Sequence, residues 1–446
     1  MSNLPFSIEE YINRQSEFHS HLPDNSIVII PTNNLSTRSN DTSFPFRGNS
    51  YMLYLCGWAD PEAFFVSSNN SGEWKTSLFV QPNDTLAEIW EGRRIGIELA
   101  KEMWPVDDSF SILEINTQIE SMLDDNKHVY IIQGLSESLD TLVHKSLTTK
   151  SRSRNLNGKG PISVSDPSYI LDEMRLIKSP AEIEILKMSA ELASEAHIKA
   201  ISATKPGIGE WEIQSIIEGY FISNKSEYSY RSIVGGGSNA TILHYCANDS
   251  IINDGDLVLV DAGCEIYGYA SDITRTWPVN GKFSKEQKEI YDLVLSAELA
   301  AIEACQIGAP FRASHHAASK VMALGLIKLG ILNCTLEEAL GDDYDGPYRN
   351  FFMHGTSHSL GLDVHDVGVI SPNGEKYGRA LKEGMVLTVE PGLYFADWRT
   401  DVDIPSKYSG IGIRIEDDIL ITKNGPIVLT SSCPKTIDEI ELIINR

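Results

Sequence analysis

From the start of the chain to residue 172, short apolar runs alternate with segments in which apolar residues recur at helical spacing. Short strands that alternate with amphipathic helices are typical of an α/β domain, and we predict one over residues 1–172. The predicted strands are Ile27–Pro31, Tyr51–Leu55, Ala63–Val66, Leu78–Val80 and Val129–Ile132, and the predicted helices are Thr85–Ile89 and Ile95–Trp104.

The second predicted domain, residues 173–446, begins with a longer segment of helical spacing. Its first helix has a capping box at Ser179–Glu182, with Pro180 at the first helical position, and ends before Pro206–Gly207. Further helices are predicted around Glu210–Phe221, from the cap at Ser284 and over Arg312–Lys328. We assign His315 and His316 to the surface of the last of these helices, because no acidic residue lies near them in sequence.

Four apolar strands of this second domain contain or end in an acidic residue. They are Leu257–Asp261, Asp272–Thr276, Met385–Glu390 and Gly410–Glu416. Side chains alternate along a strand, so pairing the first two as a hairpin would bring Asp261 and Asp272 together. In the last strand the alternation places Arg414 and Glu416 on the face opposite the core.

Histidines cluster between His354 and Asp366, a glycine-containing stretch that also holds His358 and His365. For any one of them, a polar loop in which the ring bonds to nearby backbone remains an adequate explanation. Together with the acids in the strands, however, the cluster favours a metal site, because neutral imidazole is a common metal ligand.

Convergence of the four acids would require positive charge. A buried carboxylate must be paired, protonated or metal-bound, and two close carboxylates repel by on the order of 4 kcal/mol at an effective dielectric near 20. Two divalent cations would neutralise four carboxylates. A ligand set of oxygens completed by His358 suits Mn(II), Co(II) or Zn(II), and two such ions support hydrolysis of a carbonyl compound.

The candidate ligands stand in a recognisable order along the chain, namely Asp261, Asp272, His358, Glu390 in Thr-Val-Glu-Pro-Gly, and Glu416 in Gly-Ile-Arg-Ile-Glu-Asp. In this the chain closely resembles the proline-specific pita-bread metallopeptidases of family M24, and above all the Xaa-Pro aminopeptidases. The resemblance implies an α/β N-terminal domain followed by an α+β pita-bread catalytic domain with a curved, mainly antiparallel sheet. It also implies two metal ions, with Mn(II) preferred, and a metal-bridging hydroxide that attacks the scissile carbonyl to release the first residue of peptides with proline in second position.

The same resemblance assigns roles near the scissile bond. Glu390 is expected to accept and shuttle a proton, and His365 or His354 to meet the developing oxyanion. His244 is expected to bind substrate, although a buried structural histidine fits the sequence equally well.

Four further residues are expected around the site. Arg414 should orient a ligand carboxylate, and Tyr394 is either a hydrogen-bond donor there or a structural tyrosine. Arg154 matches a family position that binds the C-terminal side of longer peptides, or else belongs to a solvated basic linker. Trp90 matches a tryptophan that reaches a neighbouring subunit's active site in tetrameric relatives, or else is an ordinary core residue.

Composition limits the partners of this protein. Lysine and arginine total 37 against 62 acidic residues, for a formal net charge of −25, which argues against nucleic-acid binding.

The start of the chain lacks a signal-peptide pattern, and no apolar run approaches the roughly 18 residues of a membrane span. Six scattered cysteines fit reduced thiols. We therefore expect a cytoplasmic protein that acts on peptides and does not bind membranes, and the resemblance implies a homo-oligomer, either dimer or tetramer.

Other functions on the same fold remain open at this point. An Xaa-Pro dipeptidase shares the five ligands, and methionine aminopeptidases usually lack the large N-terminal domain. Metal-free binding modules and creatinase-like enzymes lose one or more ligands, whereas all five ligand positions are kept here.

Overall fold

The computed structural model describes residues 4–70, 72–151 and 159–446. The chain divides into two compact units, Met1–Arg175 and Leu176–Arg446. Every helix in the described ranges is too short or too polar to cross a lipid bilayer.

The first unit is a mixed sheet with helices. Its helices are α1 (Ile8–Ser20), α2 (Ser50–Cys56), α3 (Thr85–Glu91), α4 (Gly96–Met103), α5 (Ile115–Asp125), α6 (Glu137–Ser151) and α7 (Ser168–Leu176), with a 3-10 turn at Ile112–Glu114. Its strands are β1 (Ser26–Pro31), β2 (Thr37–Ser39), β3 (Thr42–Ser43), β4 (Phe64–Ser68), β5 (Lys75–Val80), β6 (Asp108–Ser111), β7 (His128–Tyr130) and β8 (Ser163–Ser165). The main sheet runs β6-β5-β4-β1-β7-β8. Pairing is antiparallel between β1, β4 and β5 and parallel elsewhere, which confirms an α/β domain.

One predicted strand of this unit is wrong. Residues 51–55 lie in helix α2, whose start is fixed by the Asn49 side chain, which accepts hydrogen bonds from the backbone N–H groups of Tyr51 and Met52. The helix ends at Gly57, which has the left-handed φ of 69° that favours glycine. A five-residue apolar run carries no period that separates strand from helix, so the residues that flank the run determine that it forms a helix.

Helices and antiparallel strands make up the second unit. The helices are α8 (Pro180–Ala203), α9 (Glu210–Ser223), α10 (Lys285–Glu303), α11 (Ala313–Lys328), α12 (Leu336–Leu340) and α13 (Ile437–Ile444), with 3-10 turns at Gly237–Thr241 and Pro347–Asn350. The predicted capping boxes of α8 and α10 are both present, which confirms the sequence signal for these helix starts.

The strands of this unit form short sheets. They are β9 (Glu227–Tyr228), β10 (Ile233–Gly236), β11 (Leu257–Asp261), β12 (Cys264–Ile266), β13 (Tyr269–Ala270), β14 (Thr274–Pro278), β15 (Val386–Val389), β16 (Gly392–Tyr394), β17 (Gly412–Arg414), β18 (Asp417–Thr422) and β19 (Gly425–Val428). The sheets run β10-β11-β14, β13-β12-β9, β15-β18-β19 and β16-β17, and each recorded pair is antiparallel. One apolar core lies between strands and helices, and it contains Ile411, Ile413 and Ile415. The alternation predicted for residues 410–416 is therefore confirmed.

Candidate metal centre

Asp261 and Asp272 meet at one end of a strand pair. Strands β11 and β14 are antiparallel, with Asp261 opposite Thr274, so the predicted hairpin is present. The Tyr230 hydroxyl lies 2.5 Å from a carboxylate oxygen of each aspartate. A phenol has one proton to donate, so it serves only one of the two carboxylates at a time. Burial and the charges of the two aspartates raise the pKa of Tyr230 well above its usual value.

A buried guanidinium lies beside the aspartates. Arg414 donates from Nη2 to Oδ2 of Asp261 at 2.6 Å and from Nη1 to the Tyr394 hydroxyl at 2.8 Å. Its Nε donates to Oγ1 of Thr274 at 3.1 Å, and that hydroxyl in turn donates to Oε2 of Glu416 at 2.6 Å. Arg414 thus connects the hairpin to the strand that precedes Glu416, and the local sequence Gly-Ile-Arg-Ile-Glu places both polar side chains on the same face.

The carboxyl groups of this site are short of positive charge. Burial raises the pKa of Asp261, although the neighbouring Arg414 opposes the shift. Burial also raises the pKa of Glu390 to about 7, and burial together with the negative charge of Asp272 raises that of Glu416 well above its usual value. Each shift reflects the cost of ionising an acid in a buried group of acids.

His358 faces these acids through one ring nitrogen. Its Nε2 lies 3.4 Å from Oδ2 of Asp272 and 3.9 Å from Oε1 of Glu390. Its Nδ1 lies 3.0 Å from the carbonyl oxygen of Ser359. A carbonyl can only accept, so Nδ1 carries a proton and Nε2 is the ring nitrogen directed at the acids. Burial opposes the charged ring, but the hydrogen bond and charge of Asp272 raise the pKa of His358 to about 9.

Ligand atoms from Asp272, His358 and Glu416 all lie within 4.8 Å of one another. They face a cavity of about 390 Å³ that also exposes Asp261 and Glu390. The structure therefore gathers the five predicted ligands around one cavity. Other residues on its wall are Tyr230, Arg231, Ile233, Leu243, His244, Cys246, His354, Gly355, Val364, His365 and Arg414.

Both ring nitrogens of His354 are engaged. Nδ1 donates to the carbonyl oxygen of Gly355 at 2.6 Å, so Nε2 accepts from the Tyr394 hydroxyl at 2.9 Å. Since Arg414 donates to that same hydroxyl, a directional chain runs from Arg414 through Tyr394 to His354. Burial and the charge of Arg414 lower the pKa of His354 to about 3, and the ring is neutral near pH 7.

His244 and His365 present unpaired edges to the cavity. Both are exposed, and no described residue forms a hydrogen bond with either ring. The His365 ring packs edge-on against His358, with the centroids 4.4 Å apart. Partial desolvation of the ring and the charge of the nearby His358 lower the pKa of His365.

Two predicted site residues belong to the first part of the chain. Trp90 is 88% exposed, which excludes the alternative of an ordinary core tryptophan. Arg154 lies outside the described residues, and its role stays a prediction.

Sequence reasoning missed residues that support the site. Tyr230 lies in a stretch with no clear period, so no signal pointed to it. Asp418 was available as an acid inside an apolar strand, and it accepts from the backbone N–H of Asp272 at 3.2 Å. The surface assignment of His315 is wrong, because its Nδ1 lies 2.8 Å from Oγ1 of Thr356 and burial lowers its pKa to about 4. It supports the loop that leads to His358.

Fold and pocket together define a pita-bread metallopeptidase. Residues 184–423 match the model of metallopeptidase family M24, and residues 11–130 match that of the aminopeptidase P N-terminal domain. The chain belongs to metallopeptidase family M24.

Individual relatives match over the full length. The chain is 41% identical over 446 residues to the Xaa-Pro aminopeptidase of Haemophilus influenzae, covering 100% of this chain and 99% of that one. It is 41% identical over 440 residues to the Xaa-Pro aminopeptidase of Escherichia coli, covering 98% of each. Among solved structures, aminopeptidase P from Escherichia coli with the inhibitor Pro-Leu has a TM-score of 0.93 at 40% identity, covering 99% of this chain and 98% of that one. Proline aminopeptidase P II from Yersinia pestis has a TM-score of 0.92 at 40% identity, covering 99% and 100%.

Proposed function

We propose that this metallopeptidase releases the first residue from peptides that carry proline in second position. The observation that carries the proposal is the convergence of Asp272, His358 and Glu416 within 4.8 Å, on a cavity that Asp261 and Glu390 also line. The full-length similarity to Xaa-Pro aminopeptidases supports the choice of substrate.

The donor set fits two divalent cations. Three buried carboxyls, the half-buried Glu390 and one imidazole face a single buried guanidinium among the described residues of the cavity wall, and the raised pKa of Glu416 reflects that shortage of positive charge. We propose Asp261, Asp272, His358, Glu390 and Glu416 as ligands and Mn(II) as the preferred metal, because the set is mostly oxygen. When bound, such ions supply Lewis-acid polarisation of the scissile carbonyl and activation of a water nucleophile.

Glu390 is the proposed proton carrier. Burial raises its pKa to about 7, which suits a group that must take a proton and give it back near neutral pH. The Xaa-Pro bond is a tertiary amide with no N–H, so its nitrogen must receive a proton as the bond breaks. Glu390 would take the proton from the attacking water and deliver it to the proline nitrogen.

His244 and His365 are the proposed contacts for the substrate. Their unpaired ring edges face the cavity and can donate to a peptide carbonyl or to the developing oxyanion. We assign His354 a supporting role instead, because both of its nitrogens are already engaged. Arg414 and Tyr394 would hold Asp261 and His354 in place.

Further proposals concern the rest of the chain. We propose domains over residues 1–172 and 173–446, supported by the two compact units, and a role for Arg154 in binding longer peptides. A homo-oligomer, dimer or tetramer, is supported by the exposure of Leu86, Ile89 and Trp90 on helix α3, at 75%, 71% and 88%. A cytoplasmic location is supported by six free cysteines.

Hydrolysis of an Xaa-Pro-Xaa tripeptide and of an Xaa-Pro dipeptide tests the proposal. The protein is stripped of metal, assayed, and assayed again after Mn(II) is restored. We expect metal-dependent release of the first residue from the tripeptide with little turnover of the dipeptide. Preference for the dipeptide would instead identify a dipeptidase, and no turnover of either by metal-loaded protein would overturn the proposal.

A further inference from the structure

His244 lies in a segment with little regular structure of its own. Between strands β10 and β11 the regular element is the 3-10 turn Gly237–Thr241, which ends before His244. The imidazole has no hydrogen-bond partner among the described residues, so its own contacts do not fix its place. The position of His244 in the cavity must therefore be set by the groups that hold the backbone on either side of it.

One buried carboxylate holds both sides. Glu210, the first residue of helix α9, is 0% exposed. Its Oε1 accepts from the backbone N–H of Gly236 at 2.7 Å and from Nδ2 of Asn239 at 2.9 Å. Its Oε2 accepts from the Tyr245 hydroxyl at 2.9 Å and from the backbone N–H of Ser250 at 2.9 Å. Two of these donors precede His244 in the chain and two follow it.

The acceptor of all four hydrogen bonds, the Glu210 carboxylate, is well suited to hold a loop in place. Hydrogen bonds to an ionised carboxylate are stronger than those between neutral groups, and the start of a helix favours negative charge. The helix does not need Glu210 as a cap, because Glu212 supplies the cap by accepting from the backbone N–H of Gly209 at 2.8 Å. The Glu210 carboxylate is directed instead to the segment that carries His244.

We propose that Glu210 is a positioning residue, which sets the place of His244 in the cavity by binding residues 236–250 on both sides of that histidine. The proposal rests on the proposed role of His244 in substrate binding. Glu210 itself does not line the cavity wall, so any effect on turnover has to pass through the loop.

The kinetic test compares Glu210→Gln with Glu212→Gln in the full, metal-loaded protein. The first variant keeps one acceptor oxygen but loses the charge and turns the other end of the carboxylate into a donor. We expect it to raise KM for an Xaa-Pro-Xaa tripeptide on the order of tenfold, with a smaller change in kcat and no change in bound metal. Glu212→Gln makes the same chemical change in the same helix, but its amide oxygen can still accept the one hydrogen bond from Gly209, so KM should stay unchanged.

A double-mutant cycle separates positioning from general damage. If Glu210 acts through His244, then Glu210→Gln should have little further effect on kcat/KM in a His244→Ala background. A full loss in that background, or an unchanged KM in Glu210→Gln alone, would overturn the proposal. Should Glu210→Gln fail to fold, Tyr245→Phe removes one of the four donors and should shift KM in the same direction by a smaller factor, and an unchanged KM there would equally overturn it.

Hydrogen exchange provides a readout that does not depend on turnover. We expect backbone amides of residues 236–250 to exchange faster in Glu210→Gln than in the wild-type protein or in Glu212→Gln, and equal rates would overturn the proposal. This measurement needs no substrate, so it tests the positioning role of Glu210 directly. The peptidase assay on the wild-type protein tests the proposed activity, and the two failures can therefore be told apart.

Discussion

Two buried groups of charged side chains lie next to each other in the second unit, and they are balanced differently. The metal-pocket cluster holds four carboxyls, one guanidinium and one imidazole, from Asp261, Asp272, Glu390, Glu416, Arg414 and His358. The charge-paired cluster holds two carboxyls and two cations, from Asp417, Glu298, Arg275 and Lys435.

Short ion pairs fill the charge-paired cluster. Arg275 donates to Asp417 at 2.7 Å, and Lys435 donates to Asp417 at 2.6 Å and to Glu298 at 2.7 Å. Although burial opposes ionisation of Asp417, the charges of Arg275 and Lys435 hold its pKa below the usual range. In the metal-pocket cluster the pKa of Glu416 moves in the opposite direction. Burial acts on both acids, so the difference between Asp417 and Glu416 lies in the cations that contact Asp417.

The excess of carboxyls in the metal-pocket cluster marks the place where the chain leaves room for a cationic ligand. Burial of unbalanced carboxylates costs stability, so a protein that keeps them has a use for the charge. Arg275 also donates to the carbonyl oxygen of Glu416 at 2.6 Å. The charge-paired cluster therefore supports the backbone from which the metal-pocket cluster is built.

The largest effect is expected when a ligand of the metal-pocket cluster is neutralised. Glu416→Gln should lower kcat/KM for a tripeptide by at least about three orders of magnitude, because metal-assisted stabilisation is worth several kcal/mol. Peptide hydrolysis and metal content by mass spectrometry measure it. The same change at the exposed Glu303 is the control, and retained turnover in Glu416→Gln would contradict the two-metal site.

Neutralising an acid of the charge-paired cluster should instead destabilise the fold. Asp417→Asn leaves Arg275, which is 0% exposed, without its anionic partner, and loss of one partner from a buried pair costs about 3–5 kcal/mol. Urea denaturation of the metal-free protein measures the loss. Under the same conditions Glu416→Gln should lose much less, since burial and the neighbouring acids already disfavour the charged form of Glu416. Equal losses in the free energy of unfolding would mean that the two clusters do not differ in how much their charged partners stabilise the fold.

Metal addition should stabilise the wild-type protein by an intermediate amount. A cation that binds the folded state alone adds about 2.7 kcal/mol at a hundredfold excess over its Kd. Thermal unfolding of stripped protein with and without Mn(II) reports this as a rise in Tm. The rise should be largely lost in Glu416→Gln, whereas Glu303→Gln should keep it. A rise of the same size in both variants would place the bound metal elsewhere.

The sequence allowed prediction of those parts of the fold that follow local rules. Alternation over residues 410–416 identified the face that carries Arg414 and Glu416, and the hairpin was predictable from two apolar runs that end in acids. Helix starts at Ser179 and Ser284 followed from capping boxes. The error at residues 51–55 arose because a short apolar run has no distinctive period, although Asn49 before it and Gly57 after it were the available signals.

Contacts between distant segments could not be predicted in the same way. Tyr230 reaches Asp261 and Asp272 from a segment with no pattern of its own, and Glu210 reaches the His244 segment from a helix start. A sequence pattern reports which way a side chain faces relative to its own element, but not what it meets there. The engagement of both His354 nitrogens also depends on such a contact, with Tyr394.

Per pH unit, the weakest of these effects is a pH dependence that arises inside the charge-paired cluster. Burial, with the negative charge of Asp417, raises the pKa of Glu298 from 4.5 to about 8. Between these pH values the folded protein binds more protons than the unfolded chain, so the free energy of unfolding should fall as pH rises, by at most about 1.4 kcal/mol per pH unit. Glu298→Gln cannot titrate, and the stability difference between wild type and variant, measured by denaturation from pH 5 to pH 8, isolates this contribution. If the wild type gained stability relative to the variant over that range, Glu298 would be an ionised partner of Lys435 in the folded protein, and the predicted sign would be wrong.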